Sequence, residues 1–271
     1  MSGSRLTAAE VLSARTVTVF LLLGTVFLVL LFAPWELYFL LVSIAAAGAA
    51  YEAFLLLGER RPALLVLAGW LTMLALLPGS RIALGDAIAV AGLLYLGSTI
   101  FHDEQRIRPA GSRAIHAVFV WCYVFWSLGH AIPLRSGPLG KELVLFVVLF
   151  TALRNIAAGW LGRLVSGHAI SGANPRKTYE GSLIGWGVAA AISIPVAALM
   201  ALPLQHALAL SILLAVAGQV GDLSASVLKR MAGVTDSSRF LPGQGGLLDT
   251  LDSFLFSVPA AFYYCKYLIW S

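Results

Sequence analysis

The chain is short of charge, since only 11% of its 271 residues are Asp, Glu, Lys or Arg while 59% are hydrophobic. Soluble globular domains carry about 25% charged residues. The mean hydropathy of +0.88 represents more apolar surface than one water-soluble core can bury, which excludes a soluble domain. The composition therefore predicts a polytopic integral membrane protein.

Cysteine and histidine are also scarce. Cys122 and Cys265 fall in or near separate apolar segments and are too few for a disulfide framework or a zinc site, so we interpret both as packing residues. The five histidines lack metal-ligand spacing, which argues against a histidine metal site. No cleavable signal peptide is recognisable, and the first apolar run is expected to be a retained helix. The net charge of +5 is assigned to loops facing anionic lipid, without nucleic-acid binding.

Apolar runs close to the length of a bilayer span recur along the chain. They predict an all-α, polytopic membrane helical bundle of about nine transmembrane helices. The candidate spans are roughly 16–33, 36–57, 62–77, 83–101, 115–133, 142–164, 182–202, 206–228 and 247–269.

The distribution of Lys and Arg predicts the orientation. With a cytoplasmic N-terminus, 13 of the 18 basic residues fall on the inner side and 4 on the outer side, with Arg154 inside a span. This asymmetry follows the positive-inside rule. It predicts an inner-membrane protein whose segment 221–252 faces the cytoplasm, where nucleotides and magnesium are available.

The polar residues divide the chain into two unequal parts. Residues 1–141 carry few polar groups within their spans and are interpreted as a transmembrane scaffold, in which Glu52 is assigned no role. Residues 142–271 are interpreted as the catalytic half. Within it, segment 221–252 combines four aspartates, a Lys-Arg pair and a glycine-rich loop. Charged groups at a membrane boundary are energetically unfavourable unless they bind a partner.

Helical spacing makes this segment more specific than a list of charges. Asp222, Ser226 and Lys229 are spaced i, i+4, i+7 and share one helix face. Asp249 and Asp252 are spaced i, i+3 on the next helix. Two helices joined by a hairpin can turn these faces toward each other.

A magnesium and phosphate site would suit these residues. Mg²⁺ prefers one or two carboxylates and completes its shell with water and phosphate oxygens, which Asp222 and Asp249 could allow. Lys177, Lys229 and Arg230 would neutralise phosphate charge. The backbone amides of the PGQGG loop could approach phosphates closely because glycine has no Cβ.

Two sequence blocks carry a family resemblance. The run NPRKTYEG at 174–181 is followed about forty residues later by GDLSASVLKR and then by PGQGGLLDTLD. In order and spacing they resemble the signature of the CdsA-type phosphatidate cytidylyltransferases, also called CDP-diacylglycerol synthases. The resemblance covers about 151–257, and the first half agrees only in being membrane-spanning. Two blocks in order are a specific signal, whereas either alone is weak.

The resemblance implies an activity and roles for individual residues. In that family a phosphate oxygen of phosphatidate attacks the α-phosphorus of CTP, giving CDP-diacylglycerol and pyrophosphate. Asp222 and Asp249 would coordinate the catalytic Mg²⁺, and Lys229 would act beside them. The implied substrate-binding residues are Arg176, Lys177, Thr178, Glu180, Ser226, Arg230, Asp236, Gly243, Gln244, Gly245, Gly246 and Asp252. A homodimer is also implied by the resemblance only.

The chain departs from the family pattern at four positions. Thr235 stands where the family usually has Lys, Gln244 where it has His, Thr250 where it has Arg, and Asn155 where it has Asp. Two cations, an imidazole and a carboxylate are therefore missing. The chain is interpreted as a divergent member, with the nucleotidyl chemistry kept and the acceptor lipid open.

Structural explanations exist for the same residues. The aspartates could form a structural ion network with Lys229 or Arg230, and the basic residues could be positive-inside anchors. Pro242 to Gly246 could be an ordinary turn. Arg154 and Asn155 lie inside a span, where a helix–helix hydrogen bond competes with substrate contact.

Three functional alternatives remain beside the cytidylyltransferase. A CTP-dependent lipid kinase of the polyprenol type would release CDP instead of pyrophosphate. A CDP-alcohol phosphatidyltransferase is disfavoured because its Asp-Gly-x-x-Ala-Arg core is absent. A transporter or catalytically silent scaffold would have kept the fold alone and would bind neither CTP nor Mg²⁺.

Overall fold

The structure is a computed structural model that describes residues 8–59, 62–80, 110–165, 167–172, 174–175 and 177–271. In this part of the chain all regular structure is helical, apart from two isolated β-bridges. The α-helices are α1 Ala8–Phe32, α2 Trp35–Leu56, α3 Pro62–Leu74, α4 Ala110–Val120, α5 Ser127–Gly129, α6 Ala131–Ser136, α7 Gly140–Trp160, α8 Tyr179–Leu199, α9 Leu204–Met231, α10 Leu247–Leu251 and α11 Phe254–Leu268. A π-helical turn, Trp121–Trp126, joins α4 to α5, and a 3₁₀ turn, Leu161–Leu164, ends α7.

The all-helical bundle predicted from the sequence is confirmed. Five described helical segments are long and apolar enough to cross a membrane. They are Trp35–Leu56, Ala114–Ser136, Gly140–Trp160, Tyr179–Leu199 and Leu204–Met231. Phe20–Phe32 and Pro62–Leu74 are shorter apolar helices. The predicted span 83–101 lies outside the described residues, so the count of nine stays a prediction.

The outer surface of the helices is apolar. Phe20, Phe32, Leu64, Leu183 and Leu199 are each more than 60% exposed. A soluble monomer rarely exposes so many large apolar side chains. The same surface is favourable when lipid tails are the solvent, in agreement with a membrane location.

The last predicted span, 247–269, differs from the expectation of one helix. It consists of α10 and α11, separated at Asp252 and Ser253. The Ser253 backbone N–H donates to the Asp252 side chain at 2.6 Å. Pro259 lies inside α11 and cannot donate a backbone hydrogen bond to the preceding turn. The interruption leaves Asp252 and Ser253 buried inside the bundle.

Packing crosses the predicted boundary at residue 141. One buried cluster joins Phe54 of α2 and Trp121 of the π-turn to Leu248 of α10 and Leu255 of α11. A second joins Tyr38 of α2 to the helices of the C-terminal half, including Phe146 in α7. The division into scaffold and catalytic halves stays an interpretation of where polar residues lie, since the two parts share their cores.

Helix α9 approaches the α10–α11 junction closely at Gly221. A Cβ on this glycine would collide with the Asp252 carbonyl oxygen and would lie 3.2 Å from the Ser253 Cα. Glycine is therefore required for this approach, which brings the neighbouring Asp222 next to the junction.

This contact predicts that Gly221→Ala destabilises the protein. Overpacking against backbone costs about 1–3 kcal/mol, which exceeds the gain of about 1 kcal/mol in helix propensity. Gly187→Ala in α8 is the matched control, because a Cβ there meets nothing within 4 Å. Thermal unfolding in detergent should give a lower midpoint for the Gly221 variant than for the control. Equal midpoints would contradict the close approach.

Candidate active site

Buried acids and cations meet where α9 faces the α10–α11 junction. Lys177 forms an ion pair with Asp222, and Arg154 Nη2 lies 3.8 Å from the same carboxylate oxygen. Lys229 Nζ lies 2.5 Å from Asp249 Oδ1. These five residues, together with Asp252, are called the acid–cation cluster below.

Asp252 interacts electrostatically with members of both lysine–aspartate pairs. It is 6% exposed and interacts with the charges of Lys177, Lys229 and Asp249. Asp252 thus interacts with one member of the Lys177–Asp222 pair and with both members of the Lys229–Asp249 pair. Opposite charges at this spacing offset much of the cost of burying each group.

The loop between α7 and α8 positions Lys177. Ile170 N donates to the Lys177 carbonyl at 2.9 Å, and Lys177 N donates to the Asn174 carbonyl at 3.1 Å. Asn174 Nδ2 also donates to Ser226 Oγ on α9 at 3.3 Å. Asn174 thus contacts α9 from the segment that precedes α8, and Lys177 reaches Asp222 from the same segment.

The start of α8 closes the same loop. The Thr178 side chain accepts a hydrogen bond from Gly181 N at 3.1 Å and caps the helix. Glu180 accepts from the backbone N–H of His168 and pairs with its ring Nδ1, both at 2.8 Å. That hydrogen bond and the charge of Glu180 raise the pKa of His168 above its ordinary value. Thr178 and Glu180 therefore have local roles in shaping the loop.

Asp249 is held by backbone as well as by Lys229. Its Oδ2 accepts hydrogen bonds from Ser237 N at 2.7 Å, Ser237 Oγ at 2.9 Å and Gly246 N at 2.9 Å. Oδ1 contacts Lys229. One oxygen is thus fixed to the loop, and the other is directed at a cation.

The glycine-rich loop needs its glycines. Gly243 and Gly245 have φ angles of +73° and +97°, a region that favours glycine. Leu241 and Gly245 close the loop as an isolated bridge, and Gln244 N donates to the Leu241 carbonyl at 3.1 Å. The loop reverses the direction of the chain. Gly246 is then the N-cap of α10, and its N–H contacts Asp249.

A buried polar network lies beside the cluster. Arg154 is 2% exposed and donates to Asn155 Oδ1 at 2.7 Å, Ser253 Oγ at 3.1 Å and Gln219 Oε1 at 3.3 Å. Asn155 Nδ2 donates to Ser253 Oγ at 3.0 Å. Ser182 Oγ donates to Gln219 at 3.0 Å. These bonds join α7, α8, α9 and the junction, which matches the helix–helix alternative for Arg154 and Asn155.

Some predicted site residues do not join the cluster through the described contacts. Asp236 is exposed and accepts a hydrogen bond from Thr235 Oγ1 at 3.2 Å. Arg230 Nη1 donates to the Val234 carbonyl at 2.9 Å, at the C-terminal end of α9. Arg176 lies outside the described residues. The roles expected for these three residues in substrate binding stay predictions.

Lys177 and Lys229 each contact an aspartate, and their predicted role in binding phosphate stays a prediction. Phosphate binding by these lysines therefore requires that they exchange or share their partners.

Glu52 is the residue that sequence reasoning missed. It is 6% exposed in α2, and both of its carboxyl oxygens accept hydrogen bonds from segment 237–248. The available signal was a lone acid in an apolar span, which is a functional hypothesis by default. Sequence alone could not identify its partners, which lie about 190 residues away.

The donor set suits a hard divalent cation only in part. Among the described residues no three His, Cys, Asp or Glu side chains converge as a metal site. Asp222 and Asp249 each direct one carboxylate oxygen at a side-chain cation, where a metal ion could bind instead. Mg²⁺ requires few protein ligands when water and phosphate complete its shell. Mg²⁺ binding by Asp222 and Asp249 stays a prediction, in which water and a phosphate substrate would complete the shell.

Fold and cluster together define a class, the polytopic helical membrane proteins with a charged site buried between helices. The chain belongs to the Cytidylyltransferase family, whose family model matches residues 13–268.

Individual relatives agree with this assignment. The chain is 32% identical to a phosphatidate cytidylyltransferase of Brucella suis biovar 1 over 218 residues, 79% of either chain. It is 32% identical to a phosphatidate cytidylyltransferase of Synechocystis over 149 residues, 54% of this chain and 50% of the relative. It is 33% identical to the uncharacterized protein YnbB of Escherichia coli over 196 residues, 66% of this chain. This match covers 62% of the length of YnbB. The chain therefore spans about half to two thirds of the length of YnbB and of the Synechocystis protein.

The Lys229–Asp249 pair predicts strongly non-additive stability effects. Lys229→Met or Asp249→Asn alone leaves the other charge of the pair buried without compensation, which lowers the free energy of unfolding by about 3–5 kcal/mol. The double variant removes both charges, so its loss should be smaller than the sum by about 1–3 kcal/mol. SDS-induced unfolding in mixed micelles measures the cycle.

The control cycle combines Lys229→Met with Asp236→Asn. Asp236 is exposed, so these two changes should add to within about 0.5 kcal/mol. Equal coupling in both cycles would show that the Lys229–Asp249 contact carries no specific interaction.

Proposed function

We propose that the protein is a Mg²⁺-dependent cytidylyltransferase that joins CTP to phosphatidate or a related lipid phosphate. A phosphate oxygen of the lipid attacks the α-phosphorus of CTP, the bond from that phosphorus to the β-phosphate bridging oxygen breaks, and pyrophosphate leaves. The products are CDP-diacylglycerol and pyrophosphate. The family and the relatives' names support this reaction.

One observation carries the proposal. Three separate sequence blocks, NPRKTYEG, GDLSASVLKR and PGQGGLLDTLD, supply Lys177, Asp222 with Lys229, and Asp249. In the fold these residues form two lysine–aspartate pairs linked electrostatically through Asp252. Residues distant in sequence that meet as buried charges are typical of a site for a charged substrate.

Phosphoryl and nucleotidyl transfers depend on positioning and charge neutralisation more than on covalent chemistry from the protein. A bound Mg²⁺ at Asp222 and Asp249 would polarise the phosphate being attacked. Lys177 and Lys229 would bind the oxygens of the triphosphate, whose charge exceeds that of the acids they now pair with. The amides of the glycine-rich loop, with Gly243 and Gly245 in left-handed conformations, would face phosphate oxygens.

Location and assembly belong to the same proposal. The distribution of basic residues supports an inner-membrane protein with the acid–cation cluster facing the cytoplasm. A lipid acceptor would enter from the bilayer without crossing water. A homodimer stays an expectation from the family resemblance.

Enzyme activity tests the proposal directly. Purified protein in detergent should release pyrophosphate from CTP in the presence of Mg²⁺ and phosphatidic acid. Asp249→Asn should lower turnover by about 100-fold or more, because it removes a carboxylate ligand of the proposed Mg²⁺. Glu36→Gln, at the exposed opposite end of α2, is the control and should keep wild-type turnover.

The nucleotide product separates the alternatives. Release of CDP would identify a lipid kinase. No turnover with any lipid phosphate, together with no CTP or Mg²⁺ binding by a folded protein, would identify a silent scaffold. Either outcome would overturn the proposal.

A further inference from the structure

Glu52 occupies a costly position. It lies in α2, inside a helix long and apolar enough to span a membrane, and is 6% exposed. Its neighbours along α2 include the buried residues Ala49, Ala53 and Phe54. A carboxyl group in such surroundings is unfavourable unless hydrogen-bond donors compensate for the lost water.

Four donors meet this carboxyl group, and all come from segment 237–248. Oε1 accepts from Ser238 Oγ at 2.7 Å and from Leu247 N at 3.0 Å. Oε2 accepts from Ser237 Oγ at 2.8 Å and from Leu248 N at 2.8 Å. The side chain of an N-terminal helix thus binds residues on both sides of the glycine-rich loop.

The two backbone donors begin α10. The first N–H groups of a helix have no partner within that helix. Helix α10 has five residues, too few to be stable alone. Glu52 caps it from another helix, and the cap fixes where α10 starts.

Close packing reinforces this cap. A Cβ on Gly48 of α2 would lie 2.6 Å from Leu247 Cδ2. Leu248 is fully buried in the same apolar cluster as Phe54 of α2. Helix α2 therefore fixes both the backbone and the side chains of the first α10 residues. Asp249 follows them directly.

Ser237 connects Glu52 to Asp249. Its hydroxyl group lies 2.8 Å from Glu52 Oε2 and 2.9 Å from Asp249 Oδ2. The two carboxyl groups share this single hydroxyl proton, so a shift of one carboxyl group affects the hydrogen bond of the other. Ser237 N donates only to Asp249, at 2.7 Å.

We propose that Glu52 is a positioning residue of the nucleotide site, which holds Asp249 in place by capping α10 and fixing Ser237. This inference rests on the proposed function and extends it to the N-terminal half of the chain. Glu52 touches neither substrate nor metal in this account. It sets the orientation of the Asp249 oxygen that faces Lys229.

Glu52→Gln tests the cap with little change in shape. The amide keeps one acceptor oxygen and turns an NH₂ group toward a backbone N–H, which cannot accept a hydrogen bond. Changes in groups that orient a metal ligand typically cost about 10–100-fold in metal affinity or activity. We expect the half-saturating Mg²⁺ concentration for CTP turnover to rise about 10-fold or more. Glu36→Gln, the same substitution at the exposed end of α2, should leave it unchanged.

Two serine variants distinguish positioning from general stability. Ser237→Ala and Ser238→Ala each remove one hydroxyl bond to Glu52, but only Ser237 also contacts Asp249. Ser237→Ala should raise the half-saturating Mg²⁺ concentration more than Ser238→Ala, with similar unfolding midpoints. Equal Mg²⁺ dependence in the two variants would overturn the role of Ser237 as the link. This pair also decides the matter if Glu52→Gln fails to fold.

Hydrogen–deuterium exchange keeps this inference separate from the proposed function. In detergent and without substrate, Glu52→Gln should speed amide exchange in 246–251 by about 10-fold or more, since one of the two backbone amides bound by Glu52 loses its acceptor and now faces an NH₂ group. Exchange in α7 should not change. Unchanged exchange in 246–251 would overturn the positioning role whatever the enzyme assay gives. Faster exchange in a protein without cytidylyltransferase activity would retain the cap and reject the proposed reaction.

Discussion

The structure depends on one constraint, that a carboxylate removed from water at a membrane boundary must be balanced by a cation or by hydrogen-bond donors. Asp222 is balanced by Lys177 and Arg154, and Asp249 by Lys229 and two backbone amides. Because each partner comes from a different part of the chain, satisfying these charges fixes how the loops and helices meet. The tight loop before α8 and the glycine-rich loop before α10 both follow from this requirement.

The same constraint joins the two halves of the chain. Among the described residues, the Glu52 carboxyl group accepts hydrogen bonds from Ser237, Ser238 and the start of α10. Apolar packing of Phe54, Leu248 and Leu255 supports that contact. A helix that composition alone makes a scaffold element thus contributes to the geometry around Asp249. The scaffold and the site are one packed unit at this point.

Much of the fold follows from composition and local pattern. Long apolar runs predict helices α2, α7, α8 and α9 to within a few residues, because burial in lipid and helix periodicity are local properties. Helical spacing also predicts that Asp222, Ser226 and Lys229 share one face of their helix. The break at Asp252 and Ser253 was not predicted, since it depends on the Asp252 side chain and on close packing at Gly221. The sequence also could not predict which partner each site residue contacts. Lys177 could pair with phosphate or with Asp222, and Arg154 could contact substrate or helices, and only the tertiary arrangement distinguishes these possibilities.

We propose that Asp222 and Asp249 bind one divalent cation together and that Lys177 and Lys229 bind phosphate oxygens of the substrate. The most direct measurement is a structure of the protein with Mn²⁺ and a CTP analogue, with the metal located by anomalous scattering. We expect a Mn²⁺ ion coordinated by carboxylate oxygens of both aspartates, with Lys177 and Lys229 turned toward phosphate oxygens. A metal ion bound away from both aspartates, or lysines still paired with them beside a nucleotide bound elsewhere, would contradict it.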